Sequence, residues 1–201
     1  MQYSSNETIG LDGELECFAW FVLPSAVVRG RKNPLHFGLA LRLRRARRSY
    51  DLSFERLASA AGLPSGITVF HVERTAGHVP RLDTVERIAY ALHLSPGFLA
   101  YGIQEEAGPL AKGLRCEGVA QRLADARAAR GLSMRALARL AGLTDTAVRS
   151  TESGLSVPSI ATAEAFAHAL NISPAWLAFG VGPRELPARR KARTAQPDAR
   201  D

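Results

Sequence analysis

The sequence predicts an all-α protein made of two tandem five-helix units, and three observations lead there. The chain repeats itself, its apolar residues recur at helical spacing, and period-2 alternation or hairpin dipeptides between apolar runs are nearly absent. The repeat is clearest in residues 79–102, VPRLDTVERIAYALHLSPGFLAYG, and 157–180, VPSIATAEAFAHALNISPAWLAFG, which are identical at 12 of 24 positions at an offset of 78. Upstream, Leu43–Ser53 aligns with Leu123–Ser133 at an offset of 80, so copy 1 carries two extra residues between these blocks. Two long copies suggest duplicated domains, since solenoids stack three or more shorter units.

Copy 2 shows the elements in order. Val119, Leu123 and Ala126 fall on one face of a first helix, and Gly131 follows its end. Ser133 suits the N-cap of a second helix, Met134–Ala141, with Leu137 and Leu140 expected inward. Gly142 is the turn residue. Thr144 is placed to cap a third helix, Asp145–Glu152, whose positive N-terminus favours Asp145. Gly154 closes it, Ser159 or Thr162 opens a fourth helix running to Leu170, and Ser173-Pro174 opens a fifth with proline at its first position. The expected organisation is a flexible N-terminal extension (1–36), domain 1 (37–102), a linker (103–117), domain 2 (118–182) and a disordered basic tail (183–201).

Charge and composition narrow the partners. The net charge is +7 with a pI of about 10.1, which favours polyanions such as nucleic acid. Domain 1 holds nine arginines against five acids, domain 2 six against four, and residues 181–201 six basic against three acidic residues. Arg189-Arg190-Lys191 in the tail can add non-specific phosphate attraction or simply solubilise the chain. The two cysteines, Cys17 and Cys116, form no CxxC or Cys/His cluster, so no structural metal and no cofactor is expected, and both thiols read as reduced. The longest apolar stretch, Cys17–Pro24, is too short to span a bilayer and is preceded by acids rather than a basic segment. It packs on domain 1, meets a partner, or is a loose leader; the residues leave these open. The five histidines have no metal-ligand spacing, and no phosphate-loop or nucleophile-elbow motif is present, so no enzymatic activity is expected.

The segment Leu132–Gly154, LSMRALARLAGLTDTAVRSTESG, resembles the lambda-repressor/Cro-like (XRE-type) helix-turn-helix family. Leu-Ser before helix two, Leu137-Ala138, Gly142-Leu143-Thr144 at the turn, an inward Val148 and Glu152-x-Gly154 at the exit carry the likeness, with Val157-Pro158 and Trp176-Leu177-x-Phe179-Gly180 downstream. The resemblance implies that Thr144, Asp145, Thr146, Arg149 and Ser150 face the major groove, Arg149 being suited to bidentate pairing with guanine and Asp145 to accepting from cytosine or to capping. It further implies ion pairs between an arginine late in helix one and the glutamate ending helix three: Arg127 with Glu152, and Arg47 with Glu73. Too few residues follow copy 2 for the self-cleaving domain that many phage-type repressors carry, so induction by that route is not expected.

Two departures stand out. The family often begins helix two with glutamine, where this chain has Phe54 and Met134, which weakens phosphate anchoring there. In copy 1 the third helix, Ser65–Glu73, turns Val69 and Val72 inward and leaves Gly66, Ile67, Phe70, His71 and Arg74 outward. Ile67, Phe70 and His71 suggest a protein contact, through a homodimer or a partner, or a DNA contact through thymine methyls. The basic first helix, with Arg42, Arg45 and Arg48 as phosphate contacts, argues for proximity to DNA. The overall expectation is a prokaryotic, cytoplasmic, nucleoid-associated regulator of transcription, a repressor that binds double-stranded DNA and no membrane. The alternative is an antitoxin-like or anti-regulator module that binds a protein.

Overall fold

A computed structural model describes residues 34–75, 77–103 and 114–185. The Cys17–Pro24 stretch, most of the linker and the Arg189-Arg190-Lys191 cluster lie outside the described residues. Among the described residues, ten α-helices form two sets of five. Copy 1 holds α1 (Leu39–Ser49), α2 (Phe54–Ala60), α3 (Gly66–Arg74), α4 (Leu82–Ala91) and α5 (Pro96–Tyr101). Copy 2 holds α6 (Val119–Ala128), α7 (Met134–Ala141), α8 (Asp145–Glu152), α9 (Ile160–Ala169) and α10 (Pro174–Phe179). The expected limits of α7 and α8 hold to the residue. A 3₁₀ turn precedes each set, Leu35–Gly38 and Arg115–Gly118, and the sequence pattern gives no sign of either.

Local side chains fix the helix starts by accepting from first-turn N–H groups that have no partner within the helix. Ser133 accepts from Ala136, Thr144 from Ala147, Ser159 from Thr162 and Ser173 from Trp176. Ser159, not Thr162, therefore opens α9. Leu123, Leu137, Val148, Phe166 and Leu170 form the core of copy 2, and Leu43, Leu57, Val69, Ile88 and Leu99 lie in that of copy 1. Leu140 does not join them: it is 62% exposed, because α7 buries Leu137, Ala138 and Ala141 and so turns Leu140 to solvent.

The two copies pack on each other through α4, α5, α9, α10 and the 3₁₀ turns, and the core of copy 1 continues into Val119, Ile160, Ala175 and Phe179 of copy 2. The contact is reciprocal. Leu82 N–H donates to Pro158 O at 3.1 Å and Ile160 N–H to Pro80 O at 3.1 Å, forming a short antiparallel bridge. Glu164 of α9 accepts from Leu35 N–H (2.7 Å), His36 N–H (3.1 Å) and pairs with His36 Nδ1 (2.6 Å). At the repeat-related place, Glu86 of α4 accepts from Arg115 N–H (2.6 Å) and Cys116 N–H (2.8 Å). Each carboxylate thus caps the 3₁₀ turn of the other copy. Tyr101 donates to Ile160 O at 3.1 Å and faces the ring of Phe179, the residue at its own place in copy 2.

Both carboxylates are buried, and burial is tolerated because charge-assisted hydrogen bonds replace water. Burial alone pushes the Glu164 pKa up, but the His36 imidazole and the N–H groups of Leu35 and His36 outweigh it and hold the carboxyl below its ordinary value. A depressed pKa of this kind stabilises the fold above the ordinary carboxylate pKa, and the contribution is lost as the pH falls through the depressed value. Glu164→Gln is therefore expected to lower the unfolding free energy at neutral pH by about 1.5–3 kcal/mol. Urea denaturation reads it, and the gap to the parent should narrow below the carboxylate range; a parent-like midpoint at pH 7 would contradict this role for Glu164.

Candidate nucleic-acid interface

The α7–turn–α8 unit is built from short-range constraints. Gly142 ends α7 with φ +67, a left-handed conformation that glycine adopts without a steric penalty. Thr144 Oγ1 then accepts from Ala147 N–H at 3.2 Å and starts α8. Val148 and Thr151 are buried and fix which face of α8 points inward. The far end is held by a two-pronged ion pair: Arg127 Nε and Nη2 donate to Glu152 at 2.6 and 2.8 Å, while Nη1 donates to Leu132 O at 2.8 Å. The hydrogen bond to Glu152, with the attraction of its charge, raises the Arg127 pKa against the opposing effect of burial.

What remains outward is the set the sequence pointed to. Thr144, Asp145, Thr146 and Arg149 are exposed and Ser150 is half-buried. Thr144 and Ser150 also have internal partners, since the Ser150 hydroxyl donates to Ala147 O at 3.3 Å. Asp145 lies 3.9 Å from Arg135 with both side chains exposed, a pairing that contributes little to stability. Among the described residues Arg149 is in no ion pair, so its guanidinium is available to a ligand.

Copy 1 repeats the scaffold and changes the surface. Arg47 donates to Glu73 at 2.8 and 2.9 Å and to Leu52 O at 2.6 Å, as Arg127 does in copy 2, and lies 4.3 Å from the centre of the Phe54 ring. The Glu73 side chain is wholly buried. Val69 and Val72 are inward as expected, but Gly66 is not outward. It is buried where α3 meets α2, its N–H donating to Glu55 Oε2 at 2.9 Å, and a Cβ there would lie 2.6 Å from the Glu55 carboxyl carbon. Ile67 is 63% exposed and Phe70 44%; Phe70 meets Phe54 edge to face, and His71 bonds the Thr75 hydroxyl. The ring contacts of Phe70 and His71, and the His71 bond to Thr75, all lie within copy 1.

Arg42 must be removed from the phosphate-facing set. Its guanidinium turns inward to Leu99 O (2.8 Å), Ala100 O (2.7 Å) and Leu35 O (3.2 Å), occupying carbonyls at the end of α5 that the helix leaves unpaired. Burial lowers its pKa to about 10, partly offset by the charge of Glu164, so it stays charged at neutral pH. Arg122 does the same in copy 2, bonding Leu177 O, Ala178 O and Arg115 O. Arg45 and Arg48 are exposed on α1, which packs against α3. Among the described residues no group of three or more His, Cys, Asp or Glu side chains is placed to hold a metal, and no helix is long and apolar enough to cross a membrane.

A short helix capped by Thr144, clamped behind and exposed in front, after a tight glycine turn, defines the helix-turn-helix class. Residues 123–177 match the helix-turn-helix family model, so this part of the chain is similar to XRE-type helix-turn-helix domains, a class that binds DNA and regulates transcription. No curated protein and no solved structure matches the chain.

The clamp separates structural from ligand-facing arginines. Arg127→Ala is expected to cost about 3 kcal/mol of stability by leaving Glu152 without its partner. The paired change Arg127→Met with Glu152→Leu should recover most of that loss in chemical unfolding. A single variant as stable as the parent would show that the bridge is not what holds α8.

Proposed function

We propose that this protein is a sequence-specific regulator of transcription that binds duplex DNA and acts as a repressor. The observation that carries the reading is the two-sidedness of α8. One side is locked by Val148, Thr151 and the Arg127–Glu152 bridge, and the other offers Thr146 and Arg149 to solvent. A helix held in this way fits a major groove about 12 Å wide. In this reading its leading residues meet base edges there, and the guanidinium of Arg149 suits O6 and N7 of a guanine. Thr144, Asp145 and Ser150 complete the face, with Asp145 suited to a cytosine amino group. Arg45 and Arg48 supply phosphate contacts. A protein seated in the groove blocks access to the same DNA without any further contact, and repression by occlusion is the form of regulation proposed.

The competing reading, a module that captures a protein, draws on the exposed Ile67 and Phe70. Salt separates the two, because displacing counterions from several phosphates makes affinity fall steeply between about 50 and 200 mM salt, whereas an apolar contact is little affected. Arg149→Ala is expected to weaken specific binding by about 1–3 kcal/mol and to relax the preference at one base pair, with the fold intact. A fluorescence titration against selected duplexes measures both; unchanged affinity and preference would remove Arg149 from base reading.

A further inference from the structure

We infer that one chain, without a second copy, reads a non-palindromic duplex site whose two halves are recognised by different chemistry, Arg149 of α8 on one and Ile67 with Phe70 of α3 on the other. The inference rests on the DNA-binding reading of α8 and goes beyond it.

The interface between the copies has the form of a symmetric homodimer contact within one polypeptide. His36 and Cys116 occupy the same place in the two copies, and so do Glu164 and Glu86; the first of each pair crosses to one carboxylate and the second to the other. Pro80 and Pro158 receive the mirror-related N–H bonds, and Tyr101 faces its own counterpart, Phe179. Such exchange is what a two-fold axis produces. Here the axis is approximate, because the copies differ in sequence. Helix-turn-helix dimers use a true two-fold to lay two equal recognition helices in successive major grooves over a palindrome. The approximate axis of this chain carries α8 onto α3, so a duplex whose own dyad coincides with that axis presents equivalent grooves to the two helices.

The two helices do not offer the same surface. Thr146 is replaced by Ile67, Arg149 by Phe70 and Ser150 by His71. A guanidinium suits the acceptors of guanine, whereas apolar side chains suit the thymine methyl group. Phosphate attraction is divided in the opposite sense. Arg45 and Arg48 of α1 are exposed in copy 1, where copy 2 has Asp125 and Ala128. Copy 1 thus brings charge to the backbone beside an apolar reading face, and copy 2 brings its cation to the base edges.

The test is selection of bound sequences from random duplexes with the full chain, followed by the mass of the complex. The expected result is one chain per duplex and a motif of two unlike halves, thymine-rich on one side. Inserting about five base pairs between the halves, half a turn of DNA, should weaken binding at least tenfold, because the interface fixes the spacing. Phe70→Ala, at an exposed position, should flatten the thymine preference and leave the other half unchanged; circular dichroism verifies its fold. A palindromic motif with two chains bound would overturn this inference while leaving α8 as a DNA reader. So would a motif of one half only, unaffected by Phe70→Ala, in which case α3 is free for a protein partner. A chain that binds no duplex even at low salt would overturn both readings.

Discussion

Glu86 and Glu164 are buried carboxylates, and each is satisfied by backbone N–H groups of the other copy. In both cases the backbone donors come from the opposite copy. Separating the copies would strand two charges and four N–H donors at once, or return them to water together with the apolar surface around Ile160, Tyr101 and Phe179. The relative placement of α3 and α8 therefore depends on this exchange more than on the connecting segment. Nearby polar groups are adjusted to it. Tyr90 donates to Glu86, and burial followed by the Glu86 contact raises its pKa to about 12, so it remains a donor at any physiological pH. Burial, then Glu86, likewise pushes the Cys116 thiol up, which keeps it protonated and unreactive.

The arginines divide by whether they occur in both copies. Arg42 and Arg122 cap α5 and α10, and Arg47 and Arg127 clamp α3 and α8. These four are spent inside the fold. Arg45, Arg48 and Arg149, each lacking an arginine at the matching place, are exposed. Duplication preserved the arginines that hold each unit together and left the others to diverge with the surface they serve. The same division explains why one scaffold presents a polar face in copy 2 and an apolar one in copy 1.

Much of this was legible in the sequence where the governing forces are local. Ser133, Gly142 and Thr144 mark helix ends through hydrogen bonds spanning a few residues, and α7 and α8 fall where those residues place them. The inward Val148 and the Arg127–Glu152 bridge were readable through the family resemblance, the bridge also through its repetition as Arg47–Glu73 in copy 1. The failures share another cause. Arg42 lies in a run of arginines that looks like a solvated basic face, and only its distant partners Leu99 and Ala100 reveal its role. Leu140 fits a helical stripe but sits at the edge of a narrow one that Ala138 and Ala141 complete. Glu86 and Glu164 read as ordinary helix charges, and the 3₁₀ turns they cap carry no pattern of their own. One clue was available: a glutamate at the same place in both copies, within otherwise apolar helices, is a candidate for burial.

Amide hydrogen exchange at the cross-copy donors tests the central claim most directly. Leu82, Ile160, His36 and Cys116 each donate a backbone N–H to the opposite copy. If the copies form one unit, these four amides exchange only with global unfolding, at the rate of core amides such as Leu137 and Val69. Fast exchange at the four, with the interior of each copy still protected, would mean that the copies open freely and that nothing fixes α3 relative to α8.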